Sequence, residues 1–172
     1  MKAKATDTNI PTWKDELYLE EHRGVHTTKA LLKKYNRKCE NELRQAEIFA
    51  SIAMKMGDTY PLEQLNEAWQ RLLTSQFHDG LPGSHITEVF HDMCREYEEI
   101  LAIVAKAKDK ALDTVAGCID GSETYGKPFA LFNSLGNDVT AKVELPYKDV
   151  EIYCAGGKKV PVQAYTKPDG TK

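Results

Sequence analysis

Residues 75–84 read SQFHDGLPGS, with His78 beside Asp79 between an amphipathic stretch and a Gly-Pro-Gly turn. A neutral imidazole is a good zinc ligand, and a neighbouring carboxylate can either ligate the ion or accept hydrogen bonds from hydroxyl groups. Two donors do not make a catalytic centre, because a catalytic zinc takes three protein ligands and keeps a fourth position open. Composition and spacing alone favour a solvated histidine at a cation-favouring helix end, followed by a turn-forming aspartate. A second pair, His22 and His26 in HRGVH, has the spacing of four that puts two imidazoles on one helical face. Gly24 weakens a helix there, and Arg23 stands where a zincin motif needs glutamate, so this segment reads as a loop entering the first helix. His85 and His91 are six apart and cannot share a site by local helical geometry, so they read as solvated or partly packed.

The pair at 78–79 gains interest from the elements that must hold it. From Thr27 to about Met56 the apolar residues Leu32, Tyr35, Cys39, Leu43, Ala46, Phe49, Ala53 and Met56 recur at steps of three and four, one face of a long helix. Thr27 or Thr28 is expected to cap it, and Gly57 with Asp58 to stop it. Pro61 suits a first helical position, and Leu62, Leu65, Trp69, Leu72 and Leu73 give a second face reaching towards Phe77. Leu81, Pro82 and Gly83 then turn the chain into a third helix, which Ser84 is expected to cap. Its seam of Ile86, Phe90, Met93, Tyr97, Ile100, Val104, Ala107, Ala111 and Val115 keeps a heptad rhythm.

Three such helices joined by short turns predict an antiparallel three-helix bundle over residues 27–116. After Gly117, FALFN, VTAKVEL, VEIYC and VPVQAY read as short strands, too few to close a core of their own. The fold class is therefore mainly α, a bundle followed by a few strands of an incomplete β-sandwich domain over residues 117–172. Trp13, Leu17, Tyr18 and Leu19 call for burial outside any helical pattern, which makes residues 1–26 read as the remnant of a preceding domain and the chain as part of something larger.

Composition narrows the function classes. In 172 residues, 41% are hydrophobic and 28% charged, and no apolar run approaches the ~18 residues of a membrane span. A formal net charge of −3 without a basic stripe argues against nucleic acid and acidic membranes as partners. Cys39, Cys94, Cys118 and Cys154 are irregularly spaced without a CxxC pair, so they read as reduced thiols. The start MKAKATDTNIPTW has no apolar core of a secretory signal, and a cytoplasmic address is expected. Exposed strand edges would favour a homo-oligomer.

The string QFHDGLPGS, preceded by LNEAWQRLLTS and followed by a long helix, resembles the middle domain of glycoside hydrolase family 38 α-mannosidases. Upstream, DELYLEEHRGVHTTKALLKKYNRKCENELRQAE is similar to the family's ELYLE-x-HRG segment, and FALFNSLGNDVTAKVELP is similar to the FN-x-L opening of its C-terminal β domain. Nearly the whole chain is covered, with FHD-x-x-PGS the specific element. Glu21 and His26 stand where the family has aromatic residues, and Gly80 replaces a bulkier apolar residue.

The resemblance implies that His78 is the ligand this domain contributes to a single active-site zinc and that Asp79 binds hydroxyls of mannose. It implies a retaining mechanism on terminal α-mannosyl residues of oligosaccharides, in which two carboxylates about 5 to 5.5 Å apart serve as nucleophile and acid/base. Both carboxylates, and the remaining zinc ligands, are expected in an N-terminal catalytic domain outside this chain. No catalytic residue is therefore assigned here, the chain's partners are the remaining catalytic and β domains, and the chain alone is expected to be inactive. Two alternatives stand beside this reading: a non-enzymatic helical interaction module in which His78 is incidental, and a family member acting on phosphorylated mannosyl-glycerate.

Overall fold

The structure, a computed structural model, describes residues 11–15, 21–122, 126–145, 147, 150–154 and 156–164. In chain order the described elements are a 3-10 turn at Arg23–His26, α1 at Ala30–Lys55, α2 at Leu62–Ser75, α3 at Thr87–Gly117, β1 at Ile152–Tyr153 and β2 at Lys159–Val160. The chain forms two compact units, one of Met1–Ala46 with Pro61–Ala107 and one of Glu47–Tyr60 with Lys108–Lys172. The helices α1 and α3 contribute to both.

In the first unit most of the predicted apolar faces close on one another, but Leu62, Leu73 and Ile86, which the spacing assigns to them, are exposed at the edges of the helices. Leu32, Cys39, Leu43, Leu65, Leu72, Tyr97, Ile100 and Val104 are fully buried, and each belongs to one of the three seams read from the sequence. Contacts run in an up-down-up order. Lys29 meets His85 and Phe90, and the Tyr35 hydroxyl donates to Glu98 at 2.7 Å. Between these helices Tyr35 stacks on Tyr97 at 5.8 Å, while α2 returns so that Arg71 reaches α3. Burial pushes the Tyr97 phenol up to about 12 and the Cys39 thiol up to about 11, so both stay protonated at neutral pH.

The second unit has its own small core. Phe49, Ala50, Ala53 and Ala111 are buried against Tyr60, Leu112, Val115 and Phe132, with the Phe49 and Phe132 rings edge to face at 5.6 Å. α1 ends in a Schellman closure: the Asp58 N–H donates to Ala53 O at 3.0 Å and the Gly57 N–H to Met54 O at 3.2 Å, with Gly57 at φ 101°. The stop expected at Gly57 is thus where the helix stops.

Several local expectations are corrected. α1 begins at Ala30 rather than Thr27, because Lys29 sits at φ 47° and the Thr27 hydroxyl donates to Gly24 O instead of capping. Pro61 is the half-helical residue before α2, whose carbonyl accepts from Leu65 N–H at 3.1 Å, and α2 ends at Ser75, two residues short of Phe77. The carbonyl that opens α3 is that of Ile86, accepting from Phe90 N–H, so Ser84 does not cap it. Of the four expected strands, FALFN and VTAKVEL are not strands; only Ile152↔Val160 and Tyr153↔Lys159 pair, antiparallel. A β-branched run becomes a strand only when another backbone takes its hydrogen bonds. FALFN is further bent by an Asx turn in which Asn133 Oδ1 accepts from Leu135 N–H at 2.9 Å. Leu17, Tyr18, Leu19 and Tyr165 lie outside the described residues, as does the opening MKAKATDTNI, and Trp13 is exposed.

One charged clamp ties α2 to α3. Arg71 donates from Nε to Glu96 Oε1 at 2.5 Å and from Nη2 to Glu96 Oε2 at 2.9 Å, also pairing with Glu99 and, at 3.5 Å, with Glu67. These hydrogen bonds hold the Glu96 carboxyl below the usual range. Glu96 therefore contributes stability that is present above its unfolded pKa, about 4.3, and is lost as pH falls through the depressed folded value. Arg71→Met should lower unfolding free energy by about 1–2 kcal/mol at pH 7 after allowing for solvent screening, and by less near pH 3, in denaturant titrations at the two pH values.

Candidate functional site

The junction of α2 and α3 is built from two consecutive turns. Gly80 N–H donates to Phe77 O at 2.9 Å, and Gly83 N–H donates to Gly80 O at 3.0 Å. His78 and Asp79 are the two central residues of the first turn, where side chains splay away from the chain. Both glycines are required. A Cβ on Gly80 would lie 2.6 Å from Ser75 O and 2.7 Å from the Phe77 ring, while Gly83 sits at φ 87° and a Cβ there would lie 2.8 Å from Thr28 Cγ2.

The pair faces solvent. The His78 side chain is 87% exposed and that of Asp79 52%, with His78 Nε2 3.3 Å from Asp79 Oδ2. The Phe77 ring, half exposed, meets the imidazole edge-on at 5.6 Å and backs it on one side. The carboxylate lies on the Nε2 side of the ring, and Nδ1 lies on the other side. Among the described residues no three His, Cys, Asp or Glu side chains gather as a metal-holding group. His78 and Asp79 are brought together, but a zinc centre would need donors beyond them.

The other histidines stand apart. His22 precedes and His26 ends a 3-10 turn rather than sharing an α-helical face, with His22 at φ 59° and both side chains exposed. His85 is half buried, with Nδ1 3.0 Å from Lys29 Nζ, and His91 is exposed beside Phe90.

Sequence reasoning missed the polar residues of α1 that reach this corner. Gln76 Nε2 donates to Asn36 Oδ1 at 2.9 Å and to Glu40 Oε1 at 3.0 Å, and Lys33 Nζ donates to Pro82 O at 2.8 Å and Thr28 O at 2.5 Å. Lys29 Nζ donates to His85 O. The signal was present as a second helical stripe, at 33, 36 and 40, beside the apolar one at 32, 35, 39 and 43; Lys29, before the helix, gave no such signal.

Residues 20–115 match the model of the α-mannosidase middle domain. The chain belongs to that family. It is 36% identical over 137 residues to α-mannosidase 2C1 of Mus musculus, covering 78% of this chain and 13% of the relative. It is 33% identical over 112 residues to α-mannosidase G of Dictyostelium discoideum, covering 65% of this chain and 10% of that protein. With α-mannosidase of Saccharomyces cerevisiae the identity is 45% over 85 residues, 48% of this chain and 8% of the relative. The chain thus spans about an eighth or less of the curated relatives it matches. The glycoside hydrolase family 38 membership implied by the FHD-x-x-PGS element agrees with these matches.

In this α-mannosidase middle domain, Gly80→Ala should force the Ser75 carbonyl and the Phe77 ring apart, at a cost of about 1–3 kcal/mol. Thermal or denaturant unfolding of the two proteins measures it, with an unchanged midpoint as the contrary result.

Proposed function

We propose that this chain is the middle part of a zinc-dependent retaining α-mannosidase acting on terminal α-mannosyl residues of glycans. Residues 27–116 form its helical domain, residues 1–26 the end of a catalytic domain, and residues 117–172 the start of a β domain. The observation that carries the reading is an outward-facing His78–Asp79 pair, on a tight turn that needs glycine at 80 and 83, within a match to the α-mannosidase middle domain.

The donor set fits zinc as part of a site: an exposed imidazole with a carboxylate 3.3 Å away, presented by a corner rather than sunk in the core. When bound, the ion would supply Lewis-acid binding of sugar hydroxyls. His78 would hold it through one ring nitrogen. Asp79 would accept hydrogen bonds from hydroxyls of the sugar, and Phe77 would shield one side of the imidazole from water. The nucleophile, the acid/base carboxylate and the other ligands would come from the rest of the enzyme, whose relatives are far longer than this chain. The partners are therefore a mannose-containing glycan and the remaining domains. We place the protein in the cytoplasm, a reading supported by four free cysteines. No helix among the described residues is long and apolar enough to cross a membrane.

In the intact enzyme, His78→Ala should lower zinc content and turnover together, whereas Asp79→Asn should leave zinc in place and weaken kcat/KM by about tenfold or more. Metal analysis alongside kinetics on an aryl α-mannoside checks both, and a full zinc complement in His78→Ala would remove the ligand role. The 172-residue chain alone should show no hydrolysis of the same substrate above blank; zinc-dependent turnover by it would overturn the shared-site reading.

A further inference from the structure

We propose that Lys33, Asn36 and Glu40 on α1, together with Gln76, are positioning residues that hold the His78–Asp79 turn on both sides. Positions 33, 36 and 40 follow steps of three and four, so they form one polar stripe along α1, each directly after a residue of the apolar seam, while Lys29 precedes the helix. The stripe meets the corner at two places. Ahead of the pair, Gln76 Nε2 is shared between Asn36 Oδ1 and Glu40 Oε1. Behind it, Lys33 Nζ takes the carbonyl of Pro82, and Lys29 takes that of His85.

The first anchor is a part-buried polar network around one buried amide. Asn36 is only 5% exposed, and both of its amide atoms are used, since Nδ2 donates to Glu40 Oε1 at 3.0 Å. Arg37 Nη1 lies 2.6 Å from the other Glu40 oxygen, so the carboxylate is charge-balanced while it accepts two amide donors. Glu40 Oε2 has the Arg37 charge beside it but no hydrogen bond among the described residues, so the hold rests on Gln76, and any shift of that side chain takes a donor from the buried Asn36 and from Glu40 Oε1. Apolar contact alone would hold α2 against α1 but would tolerate sliding of its last turn. Lys33 adds a charged donor on a carbonyl that helix packing does not reach. With Gln76 and Pro82 both fastened, the five residues between them, His78 and Asp79 included, have little freedom left.

A ligand held by two fixed ends is presented in one place before any partner arrives, which lowers the ordering cost of completing a shared centre. The last step, alignment of His78 towards a metal, rests on the zinc-ligand reading above; the hold on the turn does not.

Amide hydrogen exchange on the 172-residue chain tests the hold. Gln76→Ala should speed exchange of the Gly80 and Gly83 amides by about tenfold or more, while α3 amides such as that of Val104 stay within about twofold. Lys33→Met should do the same at Gly83, and Lys33→Arg should restore it, which guards against a Gln76 variant that does not fold. Unchanged exchange at both glycines, or a uniform acceleration along the chain, would overturn the proposal. In the intact enzyme, chelator competition then separates the two readings. Weaker zinc binding in both Gln76→Ala and His78→Ala supports positioning of the ligand. Loss in His78→Ala alone overturns that part. No loss in either, with exchange still accelerated, leaves the hold standing and removes the zinc role of His78.

Discussion

The corner between α2 and α3 can close only where the chain lacks a Cβ. Ser75 O occupies the space beside Gly80, and Thr28 the space beside Gly83, so the two turns that reverse the chain within a few residues depend on those glycines. The rest of the candidate site follows from that closure. With Phe77 and Gly80 joined by a hydrogen bond, His78 and Asp79 become the outer residues of a tight turn and cannot fold back among the leucines of α2. Their exposure is therefore a property of the backbone path, set before any side-chain preference acts.

The first compact unit combines two kinds of interaction with different jobs. Apolar seams built on Leu32, Leu43, Leu65, Leu72, Tyr97 and Ile100 supply most of the driving force, since each fully buried side chain of this size is worth about 1.5–3 kcal/mol. Such packing is non-directional and tolerant of small slips. Direction comes from a few polar groups: the fork of Arg71 on Glu96, and the amide of Gln76 on Asn36 and Glu40. In the second unit Asp58 plays the same part, accepting from Lys110 at 2.7 Å and Thr114 at 3.0 Å. Those hydrogen bonds, Lys110 first, hold its carboxyl below the usual range, so its contribution is present at neutral pH and fades in acid.

Membership in the α-mannosidase middle-domain family gives the exposed pair a context that the chain by itself lacks. An imidazole and a carboxylate on a tight corner offer two donors to solvent. They gain chemical meaning when other donors face them, and the relatives, of which this chain covers about an eighth or less, have ample length to provide those donors. A metal site divided between domains, as proposed above, would make activity depend on their correct docking and so on where this corner is held.

Residue types and spacing by themselves determined the three helices, their inward faces and the stop at Gly57, because a period of 3.6 and a left-handed glycine are local properties. They also drew attention to His78 and Asp79, but only the resemblance of the QFHDGLPGS string pointed to the family. Helix starts were less legible: Thr28 and Ser84 look like caps, but Lys29 in a left-handed conformation and the carbonyl of Ile86 set the actual beginnings. The runs FALFN and VTAKVEL show why strands resist such reading, since a strand exists only through a partner's backbone. Tertiary structure alone decided that Gln76 meets Asn36 and Glu40 across forty and thirty-six residues, and that Lys33 meets Pro82. Hydrogen bonds between distant segments depend on where the folded backbone brings them, and no local period encodes that distance.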